Sequence, residues 1–340
     1  MKIGIVDTYS LSRNGEIYGH YSKTAKQYSK VLSRDNEICI IGGKGYEKIL
    51  DTEKFIKLPF SVNVETKYES FLKKMIKYIG CCINVLIAFL ADCDVLIFQD
   101  SNRNLVSLLL AYIPTKKKIY FIRYSEDYGN KKKYQMLAYK KLSGVITSLE
   151  NVAQNFDCET LIIPDYLPDY TKREDNEIKQ YDIAVVGTVT NEKNYEMVVS
   201  VFSGSEYKVI IAGNFRDKQR LSALKLKSSS NIQIVDDYLA EVEYERILKS
   251  SKYIMLPYFE SKIPKSSGVV LDALYRNIPV IVPDNEAFEF VKEKNLGIVY
   301  HDVLNIENLM INYNVHKSNS IIFANQMEAS KEKLYTFICL

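Results

Sequence analysis

The segment Ser266-Ser267-Gly268, running into the apolar helical pattern Val269-Val270-Leu271-Asp272-Ala273-Leu274, has the residue types for holding an anion. Small hydroxyl residues and a glycine at a helix start leave the first backbone amides unobstructed, and the helix dipole adds partial positive charge, so a phosphate or diphosphate is stabilised there. Asp272, about one turn into the helix, is within reach of the hydroxyls of a ribose attached to that diphosphate. The same residues also fit an ordinary N-cap at Ser266 and a solvated acid at Asp272. Further acids follow β-type runs in the first half: Asp100 after Ile97-Phe98-Gln99, and Glu126-Asp127 after Phe121-Ile122-Arg123-Tyr124-Ser125. Carboxylates so placed have the chemistry of a general base.

The elements that must position these groups alternate. Around the Ser-Ser-Gly segment the order is strand (Tyr253–Tyr258), polar loop to Lys265, helix, a turn at Arg276-Asn277, and strand (Pro279–Pro283). In the first half, β-type runs stand at Lys2–Asp7, Glu37–Gly43, Val95–Asp100, Lys118–Tyr124, Gly144–Leu149 and Thr160–Tyr166, with amphipathic stretches such as Tyr21–Leu32 and Lys131–Leu142 between them. The pattern restarts with Tyr181–Gly187, Tyr207–Gly213, Ile232–Tyr238, Tyr253–Tyr258, Pro279–Pro283 and Gly297–Tyr300. Short strands alternating with helices predict parallel sheets. The expected fold is α/β, two Rossmann-like domains facing each other across a cleft, with ligands at the carboxyl ends of the strands. An N-terminal domain at 1–170, a polar linker at 171–180, a second domain at 181–319 and a C-terminal helix at 320–340, packing back on the first domain or simply terminal, follow from that pattern.

Size and composition agree. A chain of 340 residues with 47% hydrophobic and 26% charged residues is about right for two globular domains. The six cysteines form no Cys-x-x-Cys pair and have no histidine at zinc-ligand spacing, which fits a reduced, cytoplasmic setting. Met1–Asp7 turns polar too soon for a secretory segment, and the apolar run Tyr78–Ala91 falls short of a membrane span. No Gly-x-Gly-x-x-Gly follows the first strand, which argues against a dinucleotide-dependent dehydrogenase, and Gly42-Gly43-Lys44-Gly45 lacks phosphate-loop spacing. Asp92-Cys93-Asp94 precedes a strand and reads as a turn; no metal and no cofactor are expected. Net charge is +3, with the basic excess in the first half: residues 1–170 hold 24 Lys and Arg against 19 Asp and Glu. The basic groups are scattered without a binding motif, so nucleic acid is not an expected partner.

The order strand, loop, helix with an acid, then Asn277-Ile278-Pro279-Val280-Ile281 resembles the donor-site segment of GT-B glycosyltransferases, especially the large retaining family (family 4-like) that uses nucleotide-diphosphate sugars. That resemblance implies a sugar transferase in which the nucleotide-sugar is a substrate and Asp272 stands for the second acid of a Glu-(seven residues)-Glu element, on the ribose. Eight residues before it stands Pro264, so the first acid is absent, and Glu260 is the available substitute near the donor sugar. The turn Gly187-Thr188-Val189-Thr190-Asn191-Glu192-Lys193 resembles the family's Gly-Arg-…-Lys turn, which implies that Lys193 joins Ser266, Ser267 and Gly268 on the donor diphosphate. Thr188 occupies the arginine position, and Lys193 also fits an exposed turn lysine. Val209–Gly213 ends in a glycine that lets backbone approach a ligand, and the following turn, with Asp237 and Tyr238, is where the family reads the base; packing is the alternative for Tyr238. The family places groups facing donor and acceptor at the loop after the first strand, here Arg13, Asn14, Glu16, Gly19 and His20, with a capping or surface role the alternative for His20. Glu126 or Asp127 is the expected base toward the acceptor, and the family's histidine near that strand end is missing.

Phe71–Tyr78 interleaves apolar residues with Lys73, Lys74 and Lys77. It reads either as a basic amphipathic surface on anionic lipid at the inner membrane face, suited to a lipid-linked saccharide acceptor, or as a solvated face followed by a buried helix from Ile79 to Leu90. The expected activity is transfer of a sugar to a saccharide or lipid-linked acceptor in bacterial surface polysaccharide synthesis. A nucleotide-sugar 2-epimerase of related fold and a non-catalytic partner of a true transferase are the alternatives.

Overall fold

The computed structural model describes all residues except 11, 14–15, 18–19, 49, 51–53, 62–70, 101–102, 125–131, 165–166, 168–177, 188, 191, 260–266 and 302–303, and except the side chains of 12, 13, 16, 17, 20, 71, 73, 74 and 241. It divides into two compact units, one of Met1–Leu167 with Glu328–Leu340 and one of Pro168–Met327.

In the first unit, seven parallel strands lie in the order Lys54–Lys57, Glu37–Gly42, Lys2–Val6, Val95–Phe98, Lys118–Arg123, Gly144–Thr147 and Thr160–Ile162. Six were expected. Lys54–Lys57 is the addition, an edge strand with a lysine at each end that carries no buried run to betray it. A two-residue antiparallel pair, Ser12–Arg13 with Glu16–Ile17, lies outside this sheet. Helices Phe71–Leu90, Arg103–Tyr112 and Lys133–Tyr139 share one core with one face of the sheet, through Val85, Phe89, Leu110 and Tyr139. His20–Leu32 covers the other face, where Leu334 and Ile338 also pack. These two belong to one 27-residue helix, Tyr313–Cys339. It starts earlier than the expected 320.

The second unit holds six parallel strands in the order Ile232–Asp236, Val209–Gly213, Tyr181–Val186, Ser251–Met255, Val280–Pro283 and Gly297–Tyr300. Each is the β-type run read from sequence. Central strands such as Val209–Gly213 and Val280–Pro283 are buried along their whole length, which is why they appear as unbroken apolar stretches. Counted within the unit, the order is 3-2-1-4-5-6. The connection therefore reverses direction between Tyr181–Val186 and Ser251–Met255, and the carboxyl ends of those two strands open the crevice that binds ligands in such sheets.

Candidate functional site

Two glycines shape the end of the Tyr181–Val186 strand. Gly187 has φ +100°, a conformation open to glycine without strain, and turns the chain sharply out of the sheet. On the neighbouring strand, a Cβ at Gly213 would stand 2.2 Å from the Gly187 carbonyl oxygen. Gly213 was expected to let a ligand approach; what approaches it is the Gly187 turn, so its part is to seat that turn.

The turn delivers Lys193. Its backbone bridges to Tyr258, while Asn194 N donates to the Pro257 carbonyl at 2.5 Å and Phe259 N to Glu192 at 3.3 Å. This stitching fixes the lysine against the end of the Ser251–Met255 strand. Lys193 is 5% exposed, its Nζ donates to the Val186 carbonyl at 3.3 Å, and it lies 5.9 Å from the Tyr258 ring centre. Burial alone pushes its pKa down to about 8. No acidic side chain pairs with it among the described residues. The exposed turn lysine that sequence also allowed is therefore replaced by a buried ammonium without a counter-charge among the described residues, an arrangement that costs free energy until an anion arrives.

The helix Gly268–Tyr275 begins beside this cation. A Cβ at Gly187 would stand 3.7 Å from Lys193 Nζ and 3.6 Å from Val269 Cγ2, so one glycine touches both. Ser267 is the N-cap residue, yet its side chain caps no helix amide. A Cβ at Gly268 would meet nothing within 4 Å. No described residue thus crowds Gly268, and the first-turn amides have no intrahelical acceptor. Among the described residues, the buried Thr190 hydroxyl, in the same turn as Lys193, also has no hydrogen-bond partner.

Arg220 holds the turn from behind. It donates to the carbonyls of Lys193 at 2.7 Å and Thr190 at 3.3 Å, pairs with Glu196 at 2.5 Å and lies over the Tyr195 ring. Sequence reading passed over it, since its partners lie 24 to 30 residues away. Arg216, exposed just beyond the Val209–Gly213 strand, is a further cation at the carboxyl end of that strand.

Asp272 is neither solvated nor bare. At 7% side-chain exposure, it accepts the Tyr244 hydroxyl at 3.0 Å and pairs with Arg276 at 3.4 Å, and Arg276 is also bound to Glu245. Tyr238 is 74% exposed, which removes the packing alternative, and its amide bonds the Asp237 carboxylate at 2.7 Å. Ser266 and Glu260 lie outside the described residues.

In the first unit, Gly19, Glu126, Asp127, Asn14 and the side chains of Arg13, Glu16 and His20 lie outside the described residues. Two described acids at strand ends there, Asp100 and Asp7, are committed to partners. Asp100 pairs with buried Arg123 at 3.1 Å and accepts the Tyr124 amide, and burial pushes its carboxyl pKa up. Asp7 accepts the amides of Tyr9 and Ser10 and the Tyr46 hydroxyl. Lys73 and Lys74 side chains are outside the described residues, and Lys77 lies 5.2 Å from the Tyr9 ring centre. Among the described residues, no group of three His, Cys, Asp or Glu could hold a metal, and no helix is long and apolar enough to cross a membrane.

No protein-family model matches the chain, and no curated protein matches it by sequence. Solved structures do match. AviGT4, a glycosyltransferase involved in avilamycin A biosynthesis, superposes with a TM-score of 0.64 at 12% identity, over 99% of this chain and 97% of its own. WaaG, a glycosyltransferase involved in lipopolysaccharide biosynthesis, gives 0.61 at 13% identity over 100% of both chains. HepE of Anabaena, in complex with UDP and glucose, gives 0.58 at 12% identity over 99% and 97%. At such identities the likeness is one of fold, and that fold is the one the strand order of both units builds: the chain has the architecture of the GT-B glycosyltransferases.

Proposed function

We propose that the chain is a glycosyltransferase whose second unit holds a nucleotide-diphosphate sugar. The observation that carries this reading is the buried Lys193 ammonium, unpaired among the described residues, beside the open start of the Gly268–Tyr275 helix. A diphosphate accepts from both, and negative charge builds on that group as the glycosidic bond to it breaks. Lys193 and the first-turn amides therefore stabilise the leaving group as well as the ground state. Tyr238 stacks on the base, and Asp272, oriented by Tyr244 and Arg276, accepts from the ribose. The diphosphate is met by protein groups without a metal, and configuration is retained as the family resemblance implies.

The acceptor is a saccharide or lipid-linked saccharide of bacterial surface polysaccharide synthesis, at the inner face of the membrane. AviGT4 and WaaG supply the precedent of glycosyltransferases on this fold, WaaG in lipopolysaccharide biosynthesis, and HepE that of UDP and glucose bound to it. The test is a thermal-shift panel of UDP, GDP, TDP and their sugars, followed by product analysis with and without acceptor. A rise in melting temperature with one nucleotide, and sugar transfer only with acceptor present, is the expected result. Sugar isomerised without acceptor would instead make the chain an epimerase, and no shift across the panel would remove the donor reading.

A further inference from the structure

The strand Ile232–Asp236 of the second unit leads into two adjacent acids of different fate. Asp236 is committed: it accepts the Phe215 amide at 3.0 Å and pairs with Lys218 at 2.7 Å. Asp237 is exposed, and among the described residues its one partner is the amide of the next residue, Tyr238, which donates to Oδ1 at 2.7 Å. Oδ2 and the remaining lone pair of Oδ1 stay open to an incoming donor. Beside them the Tyr238 ring is 74% exposed. The helix Glu241–Lys249 fixes where this pair stands. Its Tyr244 hydroxyl donates to Asp272 Oδ2 at 3.0 Å, and its first turn closes from the Tyr244 amide to the Ala240 carbonyl at 2.9 Å. The start of the helix thus lies about 6 Å along its axis from Tyr244, four residues at 1.5 Å each. A base joined to a ribose at Asp272 extends a comparable distance, which brings it level with the turn that carries Asp237 and Tyr238.

Resting on the donor reading above, we propose that Asp237 selects guanine, so that the donor is a guanosine-diphosphate sugar. A carboxylate accepts hydrogen bonds and does not donate them. Guanine sets two donors side by side on its outer edge, N1–H and the 2-amino group, and two carboxylate oxygens match such a pair as they match a guanidinium. Uracil and thymine present a single N–H between two carbonyl oxygens, so the second carboxylate oxygen meets a like acceptor. Adenine and cytosine present an amino group beside a bare ring nitrogen, with the same conflict. The backbone reinforces the choice. The Tyr238 amide, a donor that a uracil carbonyl would use, is already taken by Asp237. Stacking on Tyr238 is tolerant of base identity, and Asp236 is occupied by Lys218 and Phe215. Asp237 is left to discriminate.

Isothermal titration of the full chain with GDP, inosine diphosphate, UDP, ADP and inorganic pyrophosphate tests this. GDP is expected to bind on the order of tenfold or more tighter than UDP, and than inosine diphosphate, which lacks only the 2-amino group. Asp237→Asn keeps an acceptor for the Tyr238 amide and exchanges the other oxygen for an amino donor, which meets the 2-carbonyl of xanthine. In that variant GDP should weaken by a similar factor and xanthosine diphosphate should strengthen, inverting the preference. Pyrophosphate affinity and the unliganded melting temperature should not move, because the side chain is exposed. Asp237→Ala should bind GDP and inosine diphosphate alike. UDP or ADP bound tighter than GDP would overturn the assignment of guanine and leave the nucleotide-sugar reading standing. Equal affinities for GDP and inosine diphosphate in the wild type, or an unchanged ratio of GDP to xanthosine diphosphate in Asp237→Asn, overturn it as well. Failure of every nucleotide to bind removes both readings together.

Discussion

Replacing Lys193 by methionine is expected to stabilise the unliganded protein and make it blind to nucleotide. Burial holds the ammonium pKa at about 8 against an ordinary 10.5. At about 1.4 kcal/mol per pH unit, the buried charge costs about 3 kcal/mol at neutral pH. Methionine keeps the apolar stem and removes the charge, leaving only the Val186 carbonyl short of a donor, a loss of about 1 kcal/mol. The balance is a gain of about 2 kcal/mol, or a melting temperature higher by about 4–8 °C for a domain of this size.

The pH dependence carries the sign. Between pH 8 and 10.5 the unfolded chain still holds the Lys193 proton and the folded chain does not, so wild-type stability rises with pH through that window. The gap to Lys193→Met should close across it. Saturating nucleotide, at one hundred times its dissociation constant, adds about 2.7 kcal/mol to the wild type and should add almost nothing to the variant. Because the bound diphosphate restores the charged form, binding near pH 8 should take up a proton, visible by calorimetry in two buffers of different ionisation enthalpy. Differential scanning fluorimetry at pH 7 and pH 10, with and without nucleotide, reads the rest. A variant that melts below wild type, or keeps the full nucleotide shift, would refute the reasoning.

Gly213→Ala drives a Cβ to 2.2 Å from the Gly187 carbonyl, so the turn must move; a loss of about 2–3 kcal/mol by denaturant titration is expected, with the nucleotide shift reduced alongside. Asp272→Ala strips Tyr244 and Arg276 of a buried acceptor, though Arg276 keeps Glu245, and should lower stability by about 1–3 kcal/mol before any ligand is added. Arg220→Lys should fail to rescue nucleotide affinity lost in Arg220→Gln, because one ammonium cannot reach two carbonyls and a carboxylate in the same geometry. Tyr238→Ala should leave the unliganded melting temperature within about 1 °C of wild type, since the ring is exposed, and weaken nucleotide binding but not inorganic pyrophosphate.

Sheet content was legible because buried parallel strands are apolar throughout: Val209–Gly213 and Val280–Pro283 need no tertiary information to be recognised. Lys54–Lys57 hid because an edge strand need not be apolar. At the site, the helix start proposed to hold the diphosphate could be read from Ser267 and Gly268. The burial of Lys193 could not, since it is made by Tyr258, by the Gly187 turn and by Arg220, residues whose proximity exists only after folding. Asp272 lies between these cases: Arg276 is four residues along the same turn, while Tyr244 is 28 residues away. The helix Phe71–Leu90 shows a different limit. Hydropathy identified apolar residues at helical spacing, but spacing does not say which of two apolar faces the protein covers: Val85 and Phe89 are in the core, while Ile79 and Ile83 are exposed.

The assignment of Glu328–Leu340 to the first unit sets an order of events during synthesis. Leu334 and Ile338 complete the core formed by Ile3, Ile5 and Tyr28, yet every residue of the second unit must be translated between Leu167 and that closing helix. At roughly 5–20 residues per second, the ribosome spends on the order of ten seconds or more on residues 168–327. Through that interval the first unit waits with one apolar patch uncovered, so the earlier-made half of the protein is the later one to finish folding, and a nascent-chain chaperone has its longest opportunity there.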